Sequence, residues 1–114
     1  MIDNLIERIG IDFELQKKIK TSQGWQGDTW TWEKVEDVRG ALELASGKEV
    51  EYLQRLSVNA THILTLQFNT NISVEDRLVN GDRIFQVQYI NKDLGNYSRK
   101  VRHLELYLLE VEND

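Results

Sequence analysis

The chain has 114 residues, 40% of them hydrophobic, and a net charge of −5. That length suits one domain, residues 1–114, with a sizeable core and little room for a deep cleft. The halves share the acidity and there is no basic block, which argues against gripping a phosphate backbone. There are no cysteines, so disulfides and thiolate metal sites are excluded, as suits a reducing cytoplasm. No apolar run approaches a membrane span, and Asp3 and Glu7 leave no apolar stretch for a secretory signal.

Leu5, Ile6 and Ile9 allow one helical turn. Ile9, Ile11, Phe13 and Leu15 then alternate with polar residues, the pattern of a strand with one buried face. Lys17, Lys18 and Lys20 read as its solvated end. Residues 21–28 form a loop by composition, with Trp25 between two glycines. That tryptophan reads either as a lid on the core or as an anchor for a partner. Trp30 and Trp32 open a second strand. Their shared face is expected in the core, because Asp28, Glu33, Glu36 and Asp37 surround it and a base-stacking platform needs positive charge.

Val35, Val38 and Leu42 break the period, which calls for a bulge or a bend at Gly40. Ser46-Gly47-Lys48-Glu49 has the form of a capping box. Val50, Leu53 and Leu56 follow at helical spacing and predict a short helix over 47–56, which must pack on a sheet to persist.

Residues 61–91 hold the strongest strand signals. Leu64, Leu66 and Phe68 alternate with Ile63, Thr65 and Gln67. Asn80-Gly81 between apolar runs predicts a type I′ hairpin. Phe85, Val87 and Tyr89 are expected on one face. After a loop at 91–96, a last strand over 101–111 puts Leu104, Leu106 and Leu108 on one face. Its other face, His103, Glu105, Tyr107 and Leu109, is amphipathic enough to meet another element or subunit.

Catalysis has little support. His62 and His103 fall in no zinc-binding spacing, so neither a metal nor a cofactor is expected. Glu36 and Asp37 diverge on a strand and make a poor acid–base pair. The chain reads as a non-enzyme whose function lies in shape and surface.

In order and spacing, several segments carry a resemblance. They are LIERIGIDF; Trp32…Val35…Val38-Arg39-Gly40; SGKE; THILTLQF; and DRLVNGDRIFQV, followed by a polar loop and a leucine-rich strand ending in acids. Together they resemble the phage head–tail joining family, the head-closure or stopper proteins of long-tailed phages. Gln67 departs from an arginine common there, and the arginine of the last loop corresponds to Arg99 or Arg102.

The resemblance implies a mainly β fold: a small antiparallel β-barrel or sandwich of about six strands with one short helix inserted. It implies a homo-oligomeric ring, a dodecamer, below the portal and adaptor and above a tail-completion protein. Such a ring closes the DNA-filled head, passes genomic DNA without specific binding, and docks the tail. The protein would be made in the host cytoplasm and act in the virion, with no membrane. The channel plug would correspond to residues 40–59, making Glu43, Ser46, Lys48, Glu49 and Glu51 the channel candidates. A ring needs two different complementary patches on each subunit, for which Trp25, Tyr97, Tyr107 and Leu109 are candidates. A neighbouring connector role is the near alternative. A small β-barrel module binding a ligand or single-stranded nucleic acid is the distant one.

Overall fold

The structure, a computed structural model, describes residues 9–22, 27–67, 71–91 and 103–112. Among the described residues, six strands and one helix are placed in the order β1 (Ile11–Ser22), β2 (Asp28–Leu44), α1 (Gly47–Arg55), β3 (His62–Gln67), β4 (Arg77–Asn80), β5 (Arg83–Asn91) and β6 (His103–Val111). Every strand pairing is antiparallel, and the sheet closes on itself in the order β1-β2-β3-β6-β5-β4. The expected mainly β barrel with one inserted helix is what forms, and closure removes the open edges of its wall.

Alternation fills the interior. Phe13 and Leu15 of β1, Leu64 and Leu66 of β3, and Leu104, Leu106 and Leu108 of β6 join Val38, Leu78, Phe85 and Val87 in one buried cluster. Phe13 and Phe85 meet edge to face at 5.9 Å. Ile72, from the polar break after β3, folds in with them. Fully burying each such side chain contributes roughly 1.5–3 kcal/mol.

β1 and β2 outrun the barrel. At about 3.3 Å per residue β1 runs ~40 Å and β2 ~55 Å, against ~20 Å for β3. Residues 17–22 of β1 therefore pair only with β2, as a two-stranded ribbon. The ribbon overturns the expectation that Trp30 and Trp32 lie in the core: Trp30 is 55% exposed and Trp32 half-buried. A register shift between β1 and β2 puts both tryptophans opposite Lys18 and Lys20, on the face of the ribbon away from Phe13 and Leu15.

The irregular spacing in β2 is a bulge. Leu15 pairs with Glu36 but Gln16 with Lys34, which leaves Val35 as the extra residue, 43% exposed. A second bulge was not foreseen. Val87 pairs with Leu108 and Tyr89 with Tyr107, so Gln88 is extra. The slip turns Tyr89 off the Phe85–Val87 face to the outside, and Ile90 packs against the core instead.

The hairpin between β4 and β5 also differs by one residue. Asn80 and Arg83 pair, so the turn residues are Gly81 and Asp82. Positive φ occurs at Gly81 alone of the two (58°), the signature of a type II′ turn rather than I′.

The helix starts as expected. Ser46 Oγ accepts from the Glu49 N–H at 3.2 Å, and Glu49 Oε1 accepts from the Ser46 N–H at 2.8 Å. It ends at Arg55, with Leu56 as its C-cap and 50% exposed, not as its last buried residue. The Val58 N–H donates to Leu53 O at 2.8 Å and the Ser57 N–H to Gln54 O at 3.0 Å. That pair of bonds is a Schellman motif, with Ser57 at φ 61° where glycine is usual.

Candidate interaction surfaces

Among the described residues, the barrel interior is filled by apolar side chains. The sheet is closed around a continuous hydrophobic cluster, and one end is sealed by a polar plug that begins at His62. His62 is an inward position at the start of β3 and is only 7% exposed. Its ring stands edge-on to Phe85 at 5.2 Å. Arg83 grips Glu110 with two bonds, 2.9 Å from Nε to Oε2 and 3.1 Å from Nη2 to Oε1. Arg83 Nη2 also lies 3.4 Å from His62 Nε2, and Thr61 Oγ1 lies 2.9 Å from Nδ1.

An arginine can only donate, so Nε2 is assigned as the acceptor and Nδ1–H as the donor to Thr61. Thr61 Oγ1 in turn accepts from the Glu110 N–H at 2.9 Å and donates to Leu108 O at 3.4 Å. The tautomer is that of a neutral imidazole. Burial lowers the His62 pKa; Glu110 opposes this and Arg83 adds to it. The hydrogen bond from Arg83 holds the Glu110 carboxyl below its ordinary value. Each member is hydrogen-bonded within the cluster, which covers this end of the barrel.

The channel candidates lie on the excursion between β2 and β3. Glu43 and Lys48 are exposed. Glu51 pairs with Arg55 one turn on, at 3.1 Å in solvent. Ser46 and Glu49 form the capping box. The structure thus assigns two of the five to starting the helix, a role the S-x-x-E pattern already signalled.

α1 lies beside the outer wall of the barrel. Leu53 is buried, and Lys48, Glu49, Tyr52, Leu53 and Tyr107 surround a shallow apolar cavity of about 190 Å³. Tyr107, an interface candidate on β6, stacks on Tyr89 at 5.6 Å and donates its hydroxyl to Glu105. Burial, then Glu105, raises the Tyr107 pKa well above that of a free tyrosine. Leu109, the other described interface candidate, is half-buried further along the same outer face. Trp25 and Tyr97 lie outside the described residues.

The surface that sequence reading missed is the ribbon. Lys18 pairs with Trp32 and Lys20 with Trp30, which puts all four on one face. Lys18 Nζ stands 4.9 Å from the Trp30 ring centroid and Lys20 Nζ 6.0 Å, while the Arg77 guanidinium covers Trp32 at 4.3 Å. Each is a cation–π contact worth about 0.5–1 kcal/mol at an exposed site. The acids beside these tryptophans in sequence suggested negative surroundings, but their neighbours across the strands are cations. Lys17, read as solvated, instead reaches buried Asp76 at 2.6 Å.

Among the described residues, no group of three or more His, Cys, Asp or Glu is placed to hold a metal ion, and no helix is long and apolar enough to cross a membrane. A cavity of about 610 Å³ lined by Asp82, Glu110, Val111 and Glu112 is an open notch at the plugged end.

No curated protein matches the chain. Among solved structures it is similar to a chain from the virion of a native gene transfer agent particle. The two are 16% identical, with a TM-score of 0.57 over 90% of this chain and 96% of that one. At that identity the likeness shows a shared fold. The family described as phage head completion protein matches residues 3–107, which take in the whole barrel but the end of β6. The chain belongs to the phage head completion protein family.

Proposed function

We propose that the chain, as one domain over 1–114, is a ring-forming subunit of the head–tail connector. The ring, a dodecamer, sits below the portal and adaptor, closes the DNA-filled head, and presents the surface on which a tail-completion protein docks. The observation that carries this reading is membership of the head completion family over residues 3–107. The likeness to a gene transfer agent virion chain supports it, and so does a barrel packed solid and plugged, which leaves the outer wall to do the work.

In this reading residues 40–59 face the channel. Glu43 and Glu51 present carboxylates to passing DNA, and the capping box of Ser46 and Glu49 holds the helix, with Lys48 beside it, in place. The role is mechanical and has no catalytic step. The protein is made in the host cytoplasm and acts in the virion.

Deleting the gene is the direct test. The expected result is DNA-filled heads that lack tails and leak their genome, visible by electron microscopy and by nuclease sensitivity of the packaged DNA. Normal tailed particles would overturn the proposal.

A further inference from the structure

We infer that the ring contact is made by the β1–β2 ribbon of one copy, with Trp30 as its anchor, inserting into the pocket between α1 and Tyr107 on the next copy. This deepens the ring reading and rests on it. A ring requires heterologous contacts, with two different patches facing away from each other on every subunit. The barrel order β1-β2-β3-β6-β5-β4 supplies that geometry. The cationic tryptophan face is centred on β1, flanked by Trp30 and Trp32 of β2 and Arg77 of β4. β6 lies three strands away in either direction and carries Tyr107, flanked by Tyr89 of β5. The two patches therefore stand on opposite sides of the subunit.

Their chemistry is complementary. The ribbon presents Lys18 and Lys20 around a Trp30 ring that is 55% exposed. The opposite wall presents Tyr52 (59% exposed) and Tyr89 (41% exposed), with the carboxylates of Glu49 and Glu105 at Tyr107. The cavity of about 190 Å³ between Tyr52, Leu53 and Tyr107 is smaller than the ~300 Å³ at which small-molecule pockets begin. It is on the scale of one side chain. A tryptophan seated in an apolar pocket, with charges pairing at the rim, is the usual make-up of an interface hot spot.

The absence of cysteine makes a direct test available. Particles carrying Lys20→Cys together with Tyr52→Cys, treated with a bifunctional maleimide, are expected to give a ladder of covalent multimers on a denaturing gel. Either single variant is expected to stay monomeric, since the two sites lie on different faces. A dimer from a single variant, or no ladder from the double variant, overturns the pairing.

Lysine-directed cross-linking of wild-type particles separates the two levels. A ladder there without one in the double cysteine variant refutes this contact and leaves the ring standing; no ladder there refutes both. Trp30→Ser provides a second readout. Because Trp30 lies outside the core, its loss is expected to lower the melting temperature only slightly, through its two exposed cation–π contacts, while incorporation into particles falls about ten-fold or more. Full incorporation would overturn the anchor role.

Discussion

Gly40 of β2 lies so close to Leu64 of β3 that a Cβ on Gly40 would stand 2.7 Å from Leu64 Cδ1 and 2.8 Å from Thr65 O. Gly40 pairs with Ile11 on one side and Leu66 on the other, at the point where β2 leaves the ribbon and joins the barrel wall. Side-chain atoms of Leu64 can rotate, but the Thr65 carbonyl belongs to the β3 ladder and cannot move without disturbing it. Gly40→Ala is therefore expected to destabilise the fold by about 1–3 kcal/mol, in line with overpacked cores. Thermal unfolding checks this: for a chain of this size each kcal/mol lowers Tm by roughly 4–8 °C. An unchanged Tm would show that β2 and β3 can separate without cost.

Acid should loosen the plugged end of the barrel before it affects the rest. His62 has a folded-state pKa below its ordinary value of 6.5, chiefly from burial. The unfolded chain therefore takes up the proton first. The His62 contribution is fully present above about pH 6.5 and is lost as pH falls below it. Glu110 is shifted down by Arg83, so its contribution is lost further down, below its ordinary value of 4.5. Wild-type Tm is expected to fall between pH 7 and about pH 5, and His62→Gln should flatten that limb while leaving the drop at lower pH. A wild-type limb as flat as that of the variant would rule out burial of a neutral His62.

The C-terminal end of α1 holds a correctable strain. Ser57 adopts φ 61° to complete the Schellman motif, with its N–H on Gln54 O and the Val58 N–H on Leu53 O. A non-glycine residue in the left-handed region costs about 1–2 kcal/mol, offset in part by the greater unfolded-state freedom of glycine. Ser57→Gly is expected to raise stability by a few tenths to about 1 kcal/mol. Ser46→Ala, at the other end of the same helix, is expected to lower it by about 0.5–2 kcal/mol through loss of the N-cap. Chemical denaturation of the two variants against wild type checks both signs.

Much of the barrel was legible because period-two alternation is a local property. Leu64/Leu66, Phe85/Val87 and the Leu104–Leu106–Leu108 series each declare a face without reference to any partner strand. The capping box was legible for the same reason, as its two bonds lie within four residues. What escaped was set by pairing. Gln88 is extra only relative to β6, so nothing near it in sequence marks the slip that sends Tyr89 outward. Trp30 and Trp32 alternate as core residues do, but the extra residue Val35, defined only by pairing with β1, turns them to the outer face, on a ribbon the shorter strands do not reach. Their cations, Lys18, Lys20 and Arg77, come from β1 and β4. Reading charge along the chain instead of across it hid the surface on which the ring contact is argued.

If residues 40–59 line the channel, charge there must govern how DNA moves. Glu43 and Glu51 are the right pair to reverse. Both are exposed, and the Glu51–Arg55 pair sits in solvent, where such bridges contribute at most about 1 kcal/mol. Glu49 is left alone because reversing it would uncap α1 and confound charge with folding. Glu43→Lys with Glu51→Lys, repeated in every copy of the ring, would turn a repelling lumen into one that holds phosphates. Ejection is expected to slow at low salt and recover as salt rises, because phosphate contacts release counterions and weaken steeply with ionic strength. Single-particle ejection kinetics at two salt concentrations, with Tm as the folding control, would check this. Unchanged kinetics at both salts with an unchanged Tm would remove the segment from the DNA path.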